Sequence, residues 1–380
     1  MPSELEASPD AGAARAAIAS HWRVAESECV PPLIAAATFD ASTAARIDQR
    51  ARQLLQGMRR RERGRGVEAL TRTFPLNGPA GAALLSLAEA LLRVPDGGNA
   101  DRLLHDRLSG VDWGAHRGAI ARTLQWATAF ASGAPAQAVR PLAQVWRSLA
   151  TPVVRVAMQA SIRALSDQFI FGQSIESALA RARRTRARHY RYSFDMLGEA
   201  ALTAHDAEQY FSAYRHAVDC VGSAYRCQGP IAGGSVSVKL SALHPRYGYT
   251  QSGRVIPELL PRLLELARLA QRHDIALVID AEEADRLEPS LDLIEALLSA
   301  PELSDWGGLG VAVQAYQKRA PAVLDWLLIL AARRRAKTLV RLVKGAYWDA
   351  EIKLAQIEGQ SGYPVYTRKS HTDVAYLACA

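Results

Sequence analysis

From about residue 190 onward the chain alternates short β-like runs with longer amphipathic stretches, and this alternation limits the possible folds more than anything else in the sequence. The runs fall at residues 192–197, 235–240, 276–280, 309–313, 338–343 and 364–368. Helical patterns lie between them at 207–221, 256–273, 291–298, 320–333 and 349–356. Two parallel strands need a crossover, and a helix supplies it, so the alternation predicts βα units and a parallel sheet. Six such units fit either an open doubly wound sheet or a barrel. No Gly-x-Gly-x-x-Gly follows the first run, which counts against a dinucleotide-binding sheet.

The preceding half reads differently. Residues 1–43 are Ala-rich and weakly patterned, with Pro31-Pro32 as a break; they are expected to form an N-terminal arm, partly flexible and loosely docked. Residues 44–185 read as a helical domain. Ile47, Leu54, Leu55 and Met58 are spaced along one helix face; Leu84, Leu85, Leu87, Leu91 and Leu92 form another, stopped by Val94-Pro95-Asp96-Gly97-Gly98; residues 153–170 form a third. The expected fold class is therefore α/β, an all-helical arm and helical domain followed by a βα sheet or barrel over 186–380.

Charge interrupts the apolar runs in a regular way. Period two puts Val236, Val238 and Leu240 on one face and Ser235, Ser237 and Lys239 on the other. Asp280 ends residues 276–279, Gln314 ends 311–313, Arg341 punctuates 339–343, and Glu199 follows the first run. Each of these alone reads most simply as a structural ion pair or a rim charge. Five near the C-terminal ends of successive strands converge on one mouth, where unpaired burial is costly and a polar ligand is expected. Lys239 and Arg341 suit an anionic ligand or an electron-rich ring. After Arg341, Gly345-Ala346 at a strand-to-helix turn lets backbone approach a ligand, and the following helix start offers N–H groups to a phosphate. Tyr366-Thr367-Arg368-Lys369-Ser370-His371-Thr372 is a second cation- and hydroxyl-rich loop at a helix start.

Other chemistries find less support. The net charge of +8 is spread over helical patterns, with clusters at residues 59–65 and 181–191 that read as solvated faces, so no nucleic-acid partner is expected. Cys29, Cys220, Cys227 and Cys379 form no Cys-x-x-Cys pair and no evident Cys/His ligand spacing; they are expected to be buried thiols, and no metal site is expected. Glu282-Glu283 is expected to face solvent at a helix start. No apolar stretch approaches the ~20 residues of a membrane span, and the acidic N-terminus does not resemble a signal peptide.

Five motifs then carry a family resemblance. Ser237-Val238-Lys239-Leu240-Ser241-Ala242-Leu243-His244-Pro245-Arg246-Tyr247 resembles the proline dehydrogenase domain of the bacterial proline utilization A family. So do Tyr192-Ser193-Phe194-Asp195-Met196-Leu197-Gly198-Glu199-Ala200-Ala201, Asp280-Ala281-Glu282-Glu283-Ala284-Asp285-Arg286-Leu287, Arg341-Leu342-Val343-Lys344-Gly345-Ala346-Tyr347-Trp348 and Tyr363-Pro364-Val365-Tyr366-Thr367-Arg368-Lys369. The resemblance reaches back to about residue 45. It implies a distorted (βα)8 barrel that binds FAD and oxidises L-proline to 1-pyrroline-5-carboxylate by hydride transfer to the flavin N5. It implies that Lys239 contacts the substrate carboxylate, Asp280 holds the charge network with Ala281 beside it, Arg341 lies near N5, and Gln314 binds the flavin edge. Val343, Lys344, Gly345, Ala346, Tyr347 and Trp348 are expected to wrap the flavin, with Tyr347 near the substrate. Thr367, Lys369 and Thr372 are expected at the pyrophosphate and adenosine end, and Glu199 is expected to close the site through an ion pair.

The resemblance also implies a downstream aldehyde dehydrogenase domain, a quinone acceptor at the membrane, homo-oligomers of the full-length protein, and a cytoplasmic location with peripheral contact at the inner membrane. Residues 1–45 lack a basic strand followed by two helices, so no repressor role is expected. The family's last two strands and its eighth helix, with paired arginines for the proline carboxylate, are expected to lie beyond the sixth strand and outside the chain, which as it stands is expected to be weakly active or inactive.

Overall fold

The computed structural model describes residues 10–61, 170–184, 190–226 and 228–380. The chain divides into two compact units, one of residues 1–39 with 174–380 and one of residues 40–173. In the second unit the described residues are 40–61 and 170–173, and helix α3, Ala41–Arg61, carries the Ile47, Leu54, Leu55 and Met58 pattern. The expected helices at 84–92 and 153–169 lie outside the described residues.

The first unit is built on five parallel strands in sequence order. They are β1 (Ser193–Asp195), β2 (Ser235–Val238), β3 (Ala276–Ile279), β4 (Leu309–Gln314) and β5 (Leu339–Val343). The intervening helices are α5 (Ala204–Ala224), α6 (Ser252–His273), α7 (Leu287–Leu298) and α8 (Ala320–Ala332), with α4 (Ile175–Arg184) before β1 and α9 (Trp348–Ile357) and α10 (Lys369–Cys379) after β5. This is a run of βα units of the incomplete-barrel kind. The sequence reason is plain at α6. Val255, Leu259, Leu263, Leu266 and Ala270 recur at helical spacing and are all fully buried, while Asp274 ends the helix in the left-handed conformation. At α5, Thr203 and Asp206 form a reciprocal capping box that sets the start.

Two expectations are corrected here. The run at 364–368 adds no sixth strand to the sheet. Pro364 has no N–H to give a ladder, and the segment pairs instead with the turn after β4. Val365 bridges Gln317 antiparallel, the Tyr366 N–H donates to the Tyr316 carbonyl at 2.9 Å, and the Lys318 N–H donates to the Pro364 carbonyl at 3.1 Å.

The break expected at Pro31-Pro32 is the second. Residues 11–20 form α1 and Glu26–Ala36 form α2, with Pro31 and Pro32 inside it rather than breaking it. Two prolines cost helix hydrogen bonds, but Cys29 and Val30 are buried against Tyr366 and Ala375 of the α10 region, and packing overrides propensity. Helix α1 lies on α8. Its Ile18 is fully buried, and Arg15 pairs with Glu288 and Asp292 at 2.9 and 2.6 Å.

Candidate active site

Strand register decides which side chains meet. Residues paired across parallel strands point to the same face. Ser237 pairs with Val278, Val278 with Gly310, and Gly310 with Leu339. Two residues further along each strand, the same face carries Lys239, Asp280, Ala312 and Arg341, with the last two paired directly. Asp195 pairs with Ser237 from the other side. One layer beyond Arg341, Gln314 pairs with Val343. The polar residues singled out from alternation alone therefore do share one face at the C-terminal ends of the strands.

They also touch. Lys239 Nζ lies 2.9 Å from Asp280 Oδ2 and 2.9 Å from Asp195 Oδ1. Arg341 pairs with the other oxygen of Asp280 and donates to Ser237 Oγ at 2.8 Å. The Asp280 side chain is only 7% exposed and holds a cation on each oxygen, the pairing that a buried carboxyl group needs. Burial pulls the Lys239 ammonium pKa down, but hydrogen bonds and charge from Asp280, then Asp195, outweigh it and hold the group protonated. Arg341 reaches Asp280 because the residue between them is Ala312; Gly310 is the small residue of the layer below. The carboxylate of Asp195 and the small side chain of Ala312 are parts of this site that strand periodicity did not single out. Asp195 stood inside a quoted motif, but only its register with Ser237 shows what it faces.

The β5–α9 turn lies beside this layer. Gly345 has φ +142°, and a Cβ there would come within 2.4 Å of the Tyr316 ring. The carbonyls of Val343 and Lys344 accept from the N–H groups of Ala315 and Tyr316 at 2.8 and 2.7 Å. The buried Gln314 amide donates to the Glu282 carbonyl at 2.8 Å and accepts from the Ala346 N–H at 3.0 Å, tying the turns after β3 and β5 together. The Tyr347 hydroxyl donates to Glu199 Oε2 at 3.2 Å; burial first, then the Glu199 charge, pushes the Tyr347 pKa up. Trp348 Nε1 donates to the Tyr366 carbonyl at 2.8 Å. Lys344 pairs with Asp373 at 2.5 Å. Ala281 sits half-buried in the turn after β3. The Thr367 N–H donates to Glu26 Oε1 of the arm at 2.8 Å, Lys369 is exposed at the first residue of α10, and Thr372 is buried one turn on.

Several sequence expectations change here. The partner observed for Glu199 among the described residues is the Tyr347 hydroxyl. Glu282 does not face solvent: it is buried, accepts from the Ser241 N–H at 3.0 Å and pairs with Arg286 at 2.9 Å, and burial pushes its pKa up. Cys29 is buried as expected, but Cys220 and Cys379 are half-buried, and Cys227 lies outside the described residues. His216 and Cys220 do share a ligand-like spacing, one helical turn apart on α5.

The family model described as proline dehydrogenase matches residues 178–380, the whole of the strand-bearing region. The chain belongs to the proline dehydrogenase family. The match described as the proline utilization A proline dehydrogenase N-terminal domain covers residues 13–59, and one described as the DNA-binding domain of proline dehydrogenase covers 66–169, which lies outside the described residues. The bifunctional protein PutA of Salmonella typhimurium is 45% identical over 379 residues, covering 96% of this chain and 29% of that protein. Proline dehydrogenase 1 of Bacillus subtilis is 26% identical over 183 residues, covering 48% of this chain and 53% of that one. A crystal structure of a variant of proline utilization A from Bradyrhizobium japonicum superposes with a TM-score of 0.69 at 43% identity, covering 94% of this chain and 37% of that chain. The chain thus spans under a third of the length of the Salmonella relative. Among the described residues no helix is long and apolar enough to cross a membrane.

Proposed function

We propose that this chain carries the FAD-binding and substrate-binding face of a proline dehydrogenase that oxidises L-proline to 1-pyrroline-5-carboxylate. The observation that carries the reading is the layer of Lys239, Asp280 and Arg341 at the strand ends, next to a turn that only glycine fits. The residues suit the cofactor. The buried Nε of Arg341 has no protein partner, as a group reserved for a ligand would not. The starts of α9 and α10 have no side-chain cap, so their first N–H groups are available to a pyrophosphate.

Bound FAD would supply the redox chemistry, its N5 accepting a hydride from the proline ring. The chain's own residues do the rest. Lys239, held cationic, binds the substrate carboxylate, and Asp280 fixes the directions of both Lys239 and Arg341. Arg341 stabilises negative charge arising on the cofactor as the substrate is oxidised, a preorganised electrostatic role. Tyr347 and Glu199 border the substrate side. Gln314 meets the flavin edge and, through Ala346, holds the turn that faces it. Val343, Lys344 and Trp348 shape that turn, while Thr367, Lys369 and Thr372 surround the distal phosphate and adenosine end. A quinone acceptor at the inner membrane, an aldehyde dehydrogenase domain on the same polypeptide, and homo-oligomers belong to the same proposal for the whole protein.

The test is the visible spectrum of the purified chain before and after L-proline. A flavin spectrum that bleaches with proline supports the whole reading. Flavin that does not bleach supports the cofactor site and moves the defect to substrate binding. Absence of flavin, both here and in a chain extended past Ala380, would sink it.

A further inference from the structure

A second group of donor atoms lies on the helical layer, away from the strand ends. Glu176 is in the first turn of α4, and His216 and Cys220 are on α5, which packs beside it. Four residues is about one helical turn, so His216 and Cys220 present their side chains on one face. Glu176 Oε1 is 2.5 Å from His216 Nε2; Cys220 Sγ is 3.6 Å from that nitrogen and 3.9 Å from Glu176 Oε1. The nearby Asp219 is engaged by His273 at 2.9 Å and stands outside the group.

The three donors are of different chemistry, and their arrangement is poor for a metal-free thiol. A sulfur set beside a carboxylate and an imidazole gains little from either until a cation sits between them. We propose that Glu176, His216 and Cys220 form a site for a thiophilic divalent cation of the zinc class, with one coordination position open to water. Thiolate and imidazole select such ions over magnesium and calcium. In a tetrahedral zinc site, bond lengths of about 2.0–2.3 Å put donor atoms about 3.3–3.8 Å apart. The Cys220–His216 distance fits this range, the Cys220–Glu176 distance lies just beyond it, and the side chains of Glu176 and His216 are both exposed and free to rotate apart to it. Binding releases the Cys220 proton to solvent and fastens α4 to α5. Both helices belong to the unit that carries the sheet, and the ion takes no part at the strand ends.

Titrating the chelator-stripped 380-residue chain with Co²⁺ tests this. A sulfur-to-cobalt charge-transfer band should saturate at one equivalent and be bleached by one equivalent of Zn²⁺. Cys220→Ser should abolish the band, and His216→Ala should weaken cobalt binding by at least about tenfold, the loss that even an outer-shell partner can cause. No band, or a band that survives Cys220→Ser, overturns the proposal. Glu176→Gln keeps the thiol and alters one exposed side chain, so it serves if Cys220→Ser fails to fold. Unchanged cobalt affinity in Glu176→Gln would equally overturn the site.

Discussion

Asp280 is the residue on which the charge layer depends. It is nearly buried and holds Lys239 on one oxygen and Arg341 on the other, whereas Asp195 holds Lys239 alone from a side chain 47% exposed. Removing the central carboxylate leaves two cations facing each other; removing the outer one leaves Lys239 still paired. Asp280→Asn should therefore cost about 2–4 kcal/mol in urea unfolding, and Asp195→Asn less than about 1 kcal/mol. Equal losses would show that the layer is not organised around Asp280.

Glu351 shows the opposite balance. It is buried on α9 and accepts from the Ala284 N–H at 2.6 Å; burial raises its pKa to about 7, with Asp285 and Glu283 adding to the shift and Arg319 opposing it. A carboxyl with a raised folded pKa contributes stability that is present below its unfolded value near 4.5 and is lost as pH rises through 7. Glu351→Gln keeps an acceptor for Ala284 and carries no charge. It should flatten the stability profile between pH 4.5 and 7 and raise stability at pH 8, by an amount on the order of 2 kcal/mol. Thermal melts across that range would reveal it, and parallel profiles for the two proteins would refute it.

Among the elements, β4 does the most through what it lacks. All six of its residues are buried. Toward the site its side chains are Gly310, Ala312 and Gln314, so the Arg341 side chain crosses a strand with almost nothing on that face to obstruct it. Ala312→Val puts branched bulk into that path. It should displace Arg341 from Asp280, cost roughly 1–3 kcal/mol, and lower the flavin retained on purification. Unaltered flavin content together with unaltered stability would mean that Arg341 approaches by another route. The β4 pattern was legible in the sequence as an apolar run ending in Gln314, but the importance of Ala312 was not. A small apolar residue in an apolar run is unremarkable until register places it between Asp280 and Arg341.

For the molecule as a whole, the arm reaches a loop more than three hundred residues away in sequence. Glu26 accepts from the Thr367 N–H and pairs with His371. Burial works to raise the Glu26 pKa, but the Thr367 and His371 hydrogen bonds outweigh it, so the net shift is down and the contact is held at neutral pH. Trp22 lies under Arg319, with the guanidinium carbon 3.9 Å from the ring centroid, and Arg23 precedes α2. Trypsin should cut slowly after Arg23 in the native chain and several-fold faster in Glu26→Gln, since proteolysis tracks local opening. Equal rates would mean that Glu26 does not latch the arm.

The sequence alone determined the βα alternation, five of the six strands and the one-sided placement of Lys239, Asp280, Gln314 and Arg341, because period-two and period-3.6 patterns are local properties of a chain that must bury one face. Local patterning could not decide the remainder. Pro364–Arg368 reads as a strand, yet it joins a turn because its hydrogen-bond partners lie near Tyr316. Pro31-Pro32 reads as a break, yet it stays helical because Cys29 and Val30 gain burial against Tyr366. Glu282 reads as a solvated acid, yet it is buried because the Ser241 N–H comes to it from the turn after β2. In each case the deciding partner is distant in sequence, and only tertiary packing brings it within reach.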